Sequence, residues 1–358
     1  TYSFLLSSII LIFANIVFSS VSISGELKRK TIFLLDSKPI KRWQIILGKW
    51  IGFLFLNLFL ISSFILSISI SSIFLSKKIK SKFKDSKNIF ITYAEIPPYS
   101  STSEEEKKET YGVPPGGKIR WEFKGIKKTE NIYLKFLFYT SKKGKEITGY
   151  WLISNPSLKK PFEIITKFKQ NKVHRLKIPS ECVGKDGKLQ ITYLNIEPEN
   201  ISVLFNKEKL KILYPWKNYW NNLLRSIFNL LFILGFISAT GIFFSSLTST
   251  LTAVISTSVL VFISYLHDFS QIIAKSLIES NETSKLLKYF SYPLLKLSLT
   301  ILPPLNKFLP HPYIGHSLIL PFSYLREAFM KTVIFGVIPA LLLAVLYFSR
   351  RELGATNE

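Results

Sequence analysis

The sequence is poor in the residues that build disulfides and metal sites. Its 358 residues include one cysteine, Cys182, and four histidines. A single cysteine cannot form an intramolecular disulfide, and it excludes both a disulfide framework and a cysteine-based zinc site. The histidines show no metal-ligand spacing; they are His174, His267, His311 and His316. We therefore expect neither a metal site nor a catalytic residue in this chain.

Acidic residues are also scarce, with 23 Asp and Glu against 47 Lys and Arg and a formal net charge of +24. Such a charge is typical of proteins that bind nucleic acid or a membrane surface. Yet 47% of the residues are hydrophobic and the mean hydropathy is +0.25, which excludes wholesale disorder. Both properties coexist because basic and apolar residues are segregated. Residues 76–217 carry about 30 Lys and Arg against about 15 Asp and Glu.

Charge is absent from four long apolar stretches, which are 3–22, 50–76, 226–266 and 332–349. A bilayer core requires about 20 apolar residues in a helix. The third stretch is about twice that length, and its polar cluster from Ser245 to Thr250 predicts a hairpin in the middle. The sequence therefore predicts an α-helical polytopic membrane protein with five spans, the last of them kinked at Pro339.

Basic residues in short loops indicate the orientation of these spans. The loop between the first two spans carries seven Lys and Arg, and the C-terminal tail carries Arg350 and Arg351. Counting spans places the loop and the tail on one face, which the positive-inside rule makes cytoplasmic. We expect Arg350 and Arg351 to be a cytoplasmic anchor. The Lys-rich segment 77–87 lies on the opposite face, but long translocated domains are largely insensitive to this rule.

Residues 77–217 differ from the spans. After a Lys-rich linker, apolar residues alternate with polar ones, as in Ile119, Trp121 and Phe123. Period-two runs separated by turns predict strands, and about 120 residues suffice for an antiparallel sandwich. We predict an inserted all-β antiparallel sandwich domain on the extracytoplasmic side. Residues 218–358 are then expected to hold three further spans, an outer amphipathic loop at 267–326 and a short cytoplasmic tail.

The inserted segment allows a second hypothesis, that the chain is a membrane-anchored binding or sensor protein. Trp121, Trp151 and Tyr193 would then contact a glycan or a peptide on the sandwich. Packing in the sandwich core also explains these aromatic residues.

One segment approaches a phosphate-binding loop, from Gly112 to Ile119. It fails at Ile119, where Ser or Thr would hold Mg²⁺, and it does not lead from a strand into a helix. We therefore expect no nucleotide site and no ATPase activity in this chain.

The loop between the first two spans predicts a short amphipathic helix from Glu26 to about Ser37, which Pro39 ends. A second helix begins near Lys41 and enters the membrane. A cytoplasmic helix between two spans suits the docking of a soluble partner, and it also suits an interfacial anchor.

This loop resembles that of the permeases of type-2 ABC exporters. The pattern comprises a Glu, a Thr, a Leu pair, Lys-Pro-Ile, a basic residue with Arg, and Leu-Gly-Lys. Its residues here are Glu26, Thr31, Leu34, Leu35, Lys38, Pro39, Ile40, Lys41, Arg42, Leu47, Gly48 and Lys49. The stretches 241–253 and 348–353 also resemble that family.

The resemblance implies a six-span permease in the bacterial cytoplasmic membrane, with its first span missing before Thr1. Its coupling helix, at about 24–42, would dock on a separate ABC ATPase subunit that binds ATP and Mg²⁺, so that the chain itself holds no cofactor. The implied ATPase-coupling interface is Glu26, Thr31, Leu34, Leu35, Lys38, Pro39, Ile40 and Arg42. Gly48 and Lys49 would mark the re-entry into the membrane.

The resemblance also implies the other partners. These are a second permease, identical or different, and membrane lipid, whereas nucleic acid is not expected. The large insertion departs from the minimal family.

Overall fold

The structure is a computed structural model of the chain. It describes residues 2–32, 40–82, 92–102, 110–141, 146–155, 161–184, 186–197, 201–216, 219–279, 302–310, 313 and 317–351. The chain divides into two compact units. The helical unit comprises Thr1–Ile89, Trp220–His316 and Leu320–Glu358, and the β unit comprises Phe90–Tyr219 and Ser317–Ile319.

Long apolar helices make up most of the described helical unit. Its helices are α1 (Tyr2–Val21), α2 (Ser24–Lys28), α3 (Arg42–Lys82), α4 (Tyr219–Leu247), α5 (Thr250–Tyr265), α6 (His267–Glu279), α7 (Leu305–Phe308), α8 (Phe322–Ala328) and α9 (Ile338–Arg350). A π-helical stretch, Phe329–Val337, joins α8 to α9.

Four helical segments among the described residues are long and apolar enough to cross a membrane. They are Phe4–Lys28, Arg42–Ser71, Trp220–Leu247 and Phe322–Arg350. A fifth is available if Thr250–Tyr265 and His267–Ile273 count as one broken span, since the two meet at 69°. The chain therefore has four to five candidate spans. The break between α4 and α5 lies inside the polar cluster that predicted a hairpin.

Large apolar side chains point away from the helical unit. Phe13 on α1 is 66% exposed, and Phe55 and Phe59 on α3 are 68% and 69% exposed. Exposed rings at this density would be unfavourable in water, whereas lipid tails solvate them. The outer surface therefore fits a bilayer.

Polar side chains join the helices inside the unit. Asn15 on α1 donates to the Leu234 carbonyl of α4 at 2.7 Å. Its Oδ1 accepts from Asn57 Nδ2 of α3 at 3.3 Å and from Ser238 Oγ of α4 at 3.1 Å. Such bonds hold helices together where the hydrophobic effect between them is absent.

The irregular backbone of the last candidate span lies just before Pro339. Proline has no N–H, and its ring crowds the carbonyl four residues earlier. Phe329–Val337 is π-helical, and Pro339 lies in the first turn of α9. The disturbance predicted at Pro339 is thus taken up by the preceding turns.

Tyr93 forms one isolated parallel bridge with Leu318, but the strands of the described β unit pair antiparallel to one another. They are β1 (Thr92–Ile96), β2 (Ser100–Ser101), β3 (Thr110–Val113), β4 (Lys118–Phe123), β5 (Ile132–Thr140), β6 (Glu146–Ser154), β7 (Phe162–Lys169), β8 (Val173–Ile178), β9 (Leu189–Asn195), β10 (Val203–Asn206) and β11 (Lys211–Trp216). One sheet has the order β1-β11-β5-β10-β3, with β8 also pairing with β5. The other has the order β2-β4-β9-β6-β7.

The two sheets share one apolar core. Trp121 and Trp151 of the second sheet meet Phe205 and Phe136 of the first, with ring centroids 5.2 and 4.8 Å apart respectively. Side chains that alternate along each strand supply this core. The arrangement fits the β-sandwich predicted from the alternating pattern.

Two features of the β unit differ from, or add to, the sequence expectations. The strands β1, β2 and β3 were missed because they are short and carry few alternating apolar residues. In addition, the segment from Gly112 to Ile119 spans the end of β3, a turn and the start of β4, and Gly117 N donates to the Pro114 carbonyl at 2.9 Å within the turn. A strand follows this turn, so the helix amino terminus of a phosphate-binding loop is missing there.

Candidate functional site

Hydrogen bonds bring several helix ends together at one end of the helical unit. The carboxyl ends of α1, α4 and α9 meet the amino ends of α2 and α3 there. We call the residues that make these contacts the end cluster; they are Ser24, Glu26, Arg42, Lys49, Ser245, Ser246 and Arg351. The cluster includes the loop that the sequence marked for partner docking.

The helix in this loop is shorter than predicted. α2 ends at Lys28, and Lys30 follows with φ at 58°, in the left-handed region. Thr31 N donates to the Glu26 carbonyl at 3.0 Å and Lys30 N donates to the Leu27 carbonyl at 3.1 Å. These two bonds form a Schellman motif, which stops a helix. The predicted helix from Glu26 to about Ser37 is therefore interrupted after Lys28, and residues 33–37 of the prediction lie outside the described residues.

An ion pair ties this loop to the start of α3. Lys49 Nζ lies 2.7 Å from Glu26 Oε1, and their side chains are 17% and 34% exposed. The same ammonium group donates to the Ser22 carbonyl at 3.0 Å, just after α1. Since the pair is partly buried, removing one partner leaves a charge that water solvates poorly.

Ser245, in the last turn of α4, holds the amino end of α2. Ile23 N and Ser24 N donate to Ser245 Oγ at 3.0 and 2.9 Å. The two hydroxyl oxygens of Ser24 and Ser245 lie 3.2 Å apart. The first amides of a helix lack partners within the helix, and no side chain of α2 itself caps them. Ser245 thus supplies the cap from another helix.

Two arginines bind backbone carbonyls at the same end of the unit. Arg42 Nη1 donates to the Phe348, Ser349 and Arg351 carbonyls at 3.3, 3.3 and 2.7 Å. Arg351 Nη1 donates to the Ser246 carbonyl of α4 at 2.6 Å. The last carbonyls of a helix carry partial negative charge, so a cation is favourable at each position.

The remaining predicted residues fall into three groups. Thr31, Ile40 and Arg350 are exposed. At Gly48, open space lies where a Cβ would stand. The other four predicted interface residues lie outside the described residues; they are Leu34, Leu35, Lys38 and Pro39.

The solvent-facing part of this end is positively charged. Lys28, Arg29, Lys30, Lys41 and Arg350 are exposed there. Among the described residues of the same loop, the carboxylate of Glu26 is engaged with Lys49. The surface therefore favours an anionic partner surface or anionic lipid headgroups.

Sequence reasoning missed the three serines of the end cluster. Ser245 and Ser246 belong to the polar cluster, which was interpreted only as a hairpin, and Ser24 precedes the docking motif. A cap that comes from 221 residues away leaves no signal in the local sequence.

The aromatic residues of the β unit do not form an exposed platform. Trp121 and Trp151 are fully buried, and Tyr193 is 2% exposed. Burial raises the pKa of the Tyr193 hydroxyl, to which the nearby Glu197 carboxylate also contributes. The alternative of a glycan- or peptide-binding surface built on these residues therefore loses its basis. The described residues also contain no group of three or more His, Cys, Asp or Glu placed to hold a metal ion.

Comparison with known proteins bears on the loop and its flanking helices. Residues 4–96 match the family model described as ABC-2 family transporter protein. This stretch of the chain is similar to ABC-2 family transporters. This match covers α1, α3 and the loop between them at residues 22–41, which we call the docking loop. It confirms the resemblance to type-2 ABC permeases. No curated protein matches the chain.

Proposed function

We propose that this chain is the membrane-spanning permease subunit of an ATP-driven ABC exporter. It couples ATP hydrolysis by a separate ATPase subunit to the movement of a substrate across the bacterial cytoplasmic membrane. A second permease, identical or different, completes the pathway, and the ATPase subunit binds ATP and Mg²⁺. The family match over residues 4–96 supports this assignment.

The end cluster is the observation that carries the proposal. It places the docking loop beside the ends of α4 and α9, so that a partner acting on this loop acts on several spans. The positive surface of this end fits the cytoplasmic side. On this assignment α5 and α6 together form one span, which is the fourth of five along the chain. Residues 77–217 are extracytoplasmic.

The experiment compares ATPase stimulation in a reconstituted complex of the chain with its ATPase subunit. Glu26→Ala and Arg42→Ala should insert into the membrane normally but reduce the stimulated ATPase activity. The physical reason is that each change frees the loop from the helix ends that it moves. A several-fold reduction is expected, since coupling residues typically contribute about 0.5–2 kcal/mol.

Exposed residues of the β unit provide matched controls. Glu208→Ala and Arg120→Ala remove the same side chains from exposed positions and should leave the stimulation unchanged. If no ATPase subunit co-purifies in mild detergent, or if both loop variants are stimulated like the wild type, the proposed function or its residue assignment is wrong.

A further inference from the structure

Buried hydrogen bonds join the docking loop to α4, although the bonded residues Ser24 and Ser245 are 221 positions apart in the sequence. Ser245 Oγ accepts hydrogen bonds from the Ile23 amide just before α2 and from the Ser24 amide, the first of α2. Ser24 Oγ in turn donates to the Ser20 carbonyl of α1 at 3.0 Å. Ser24 is 5% exposed and Ser245 is fully buried. Water therefore has little access to replace these bonds if α2 moves away from α4.

Three cationic side chains at helix carboxyl ends add further contacts to those between α2 and α4. Lys49 binds the carbonyl that follows α1, Arg351 binds the last turn of α4, and Arg42 binds the end of α9. Each cation comes from a different part of the chain than the helix end that it binds. The contacts thus run from the loop to α3, from α3 to α9, from α9 to α4, and from α4 back to the loop.

α4 is well placed to pass a displacement to the other helices. Its candidate span is 67% buried within the unit, against 17% for the span in α3. Gly241 of α4 packs directly on Ser19 of α1. Trp50 Nε1 of α3 donates to the Gly235 carbonyl of α4 at 3.1 Å.

We propose that α2 and the carboxyl ends of α4 and α9 move as one rigid body, with Ser245 and Arg42 as positioning residues. Arg42 then acts inside the permease, through the carbonyls of α9, rather than by touching the ATPase subunit. Ser245 acts by fixing α2 on α4. The inference rests on the proposed function, because the ATPase subunit provides the displacement.

A disulfide across the Ser24–Ser245 contact tests the rigid body. The two hydroxyl oxygens are 3.2 Å apart, so cysteines at both positions place their sulfur atoms within reach of a bond of about 2.05 Å. The native Cys182 is buried and belongs to the β unit, whereas Ser24 and Ser245 belong to the helical unit. In the full-chain complex, the oxidised form of Ser24→Cys with Ser245→Cys should keep stimulated ATPase activity and transport at least as high as the reduced form, because the disulfide replaces the link that the Ser245 hydroxyl supplies. Loss of stimulation on oxidation, restored by reduction, would overturn the proposal, since it would show that α2 must move relative to α4.

Removal of the cap provides the complementary measurement. Ser245→Ala should keep the ATPase subunit bound but lower transport per ATP hydrolysed by about 2- to 30-fold, the range typical of coupling residues. A change that only loosened the fold would lower transport and hydrolysis together. Ser258→Ala is the matched control, because its hydroxyl bonds locally to the Val254 carbonyl of α5 at 2.8 Å.

The outcomes separate this inference from the proposed function. A wild-type chain that binds and stimulates no ATPase subunit overturns both. If the wild-type chain stimulates its ATPase subunit but Ser245→Ala leaves the coupling unchanged, only the rigid-body proposal is overturned.

Discussion

Gly241→Ala tests the contact between α1 and α4 on which the helical unit depends. A Cβ at this position would stand 1.9 Å from Ser19 Oγ, 2.7 Å from Ser19 Cβ and 3.2 Å from the Ser19 carbonyl carbon. Ordinary contacts of a Cβ begin at 3.4 Å. Rotating the hydroxyl group away relieves only the first of these contacts, and it breaks the bond from Ser19 Oγ to the Asn15 carbonyl, which is 2.6 Å long. The two helices must therefore move apart.

The expected cost follows from three contributions. Overpacking of a well-packed interior costs about 1–3 kcal/mol. Loss of one buried hydrogen bond costs about 1 kcal/mol. The higher helix propensity of alanine stabilises α4 by about 1 kcal/mol and offsets part of this cost. We therefore expect Gly241→Ala to lower the free energy of unfolding by about 1–3 kcal/mol.

Gly52→Ala is the matched control on α3. No atom lies within 4 Å of the position where its Cβ would stand, so only the propensity changes. This variant should be as stable as the wild type or up to about 1 kcal/mol more stable. The assay is denaturant unfolding of the full chain in a mild detergent, followed by helicity. Equal unfolding free energies for Gly241→Ala, Gly52→Ala and the wild type would refute the close approach of α1 and α4.

Two further predictions concern the β unit. The Glu95 carboxylate accepts hydrogen bonds from Lys135 at 2.6 Å and from Lys211 at 2.8 Å. Burial raises the pKa of Glu95, but the two ammonium groups outweigh burial and hold this pKa below its usual 4.5. The two ion pairs of Glu95 stabilise the folded state above about pH 4.5, and this stabilisation is lost as the pH falls through the lowered pKa. Glu95→Gln should therefore reduce the loss of unfolding free energy on the acid side of a pH series. An unchanged loss on that side would contradict the assignment. Trp151→Ala should destabilise the β unit by about 3–5 kcal/mol, measured by urea unfolding, because it removes a fully buried indole; an exposed aromatic platform would instead tolerate the change.

Local periodicity accounts for the parts of the fold that were predicted. Charge-free stretches identified α1, α3, α4 and the last span, because the bilayer imposes a minimum apolar length. The strand β4 was predicted because its buried and exposed residues alternate. The helix stop at Lys30 was missed because a lysine in the left-handed region has no sequence signature, unlike a glycine.

The candidate site was predicted only in part. The docking motif gave the position of the loop, and Glu26, Arg42 and Lys49 do lie in the end cluster. Their partners were not predictable, since the Ser22, Ser246 and Phe348 carbonyls are backbone groups that every residue type supplies. A backbone acceptor becomes available only where a helix ends.

The sequence by itself determined that this chain has apolar helices, a strand-rich insertion and a basic loop of the ABC-2 type, because hydropathy, alternation and charge are local properties. The tertiary structure decided which helix ends meet at that loop. Ser24 and Ser245 are 221 residues apart and only packing makes them neighbours. Arg42 was predicted to contact a partner at the surface. In the fold it donates to three carbonyls at the carboxyl end of α9, because the partial negative charge of a helix end attracts a cation.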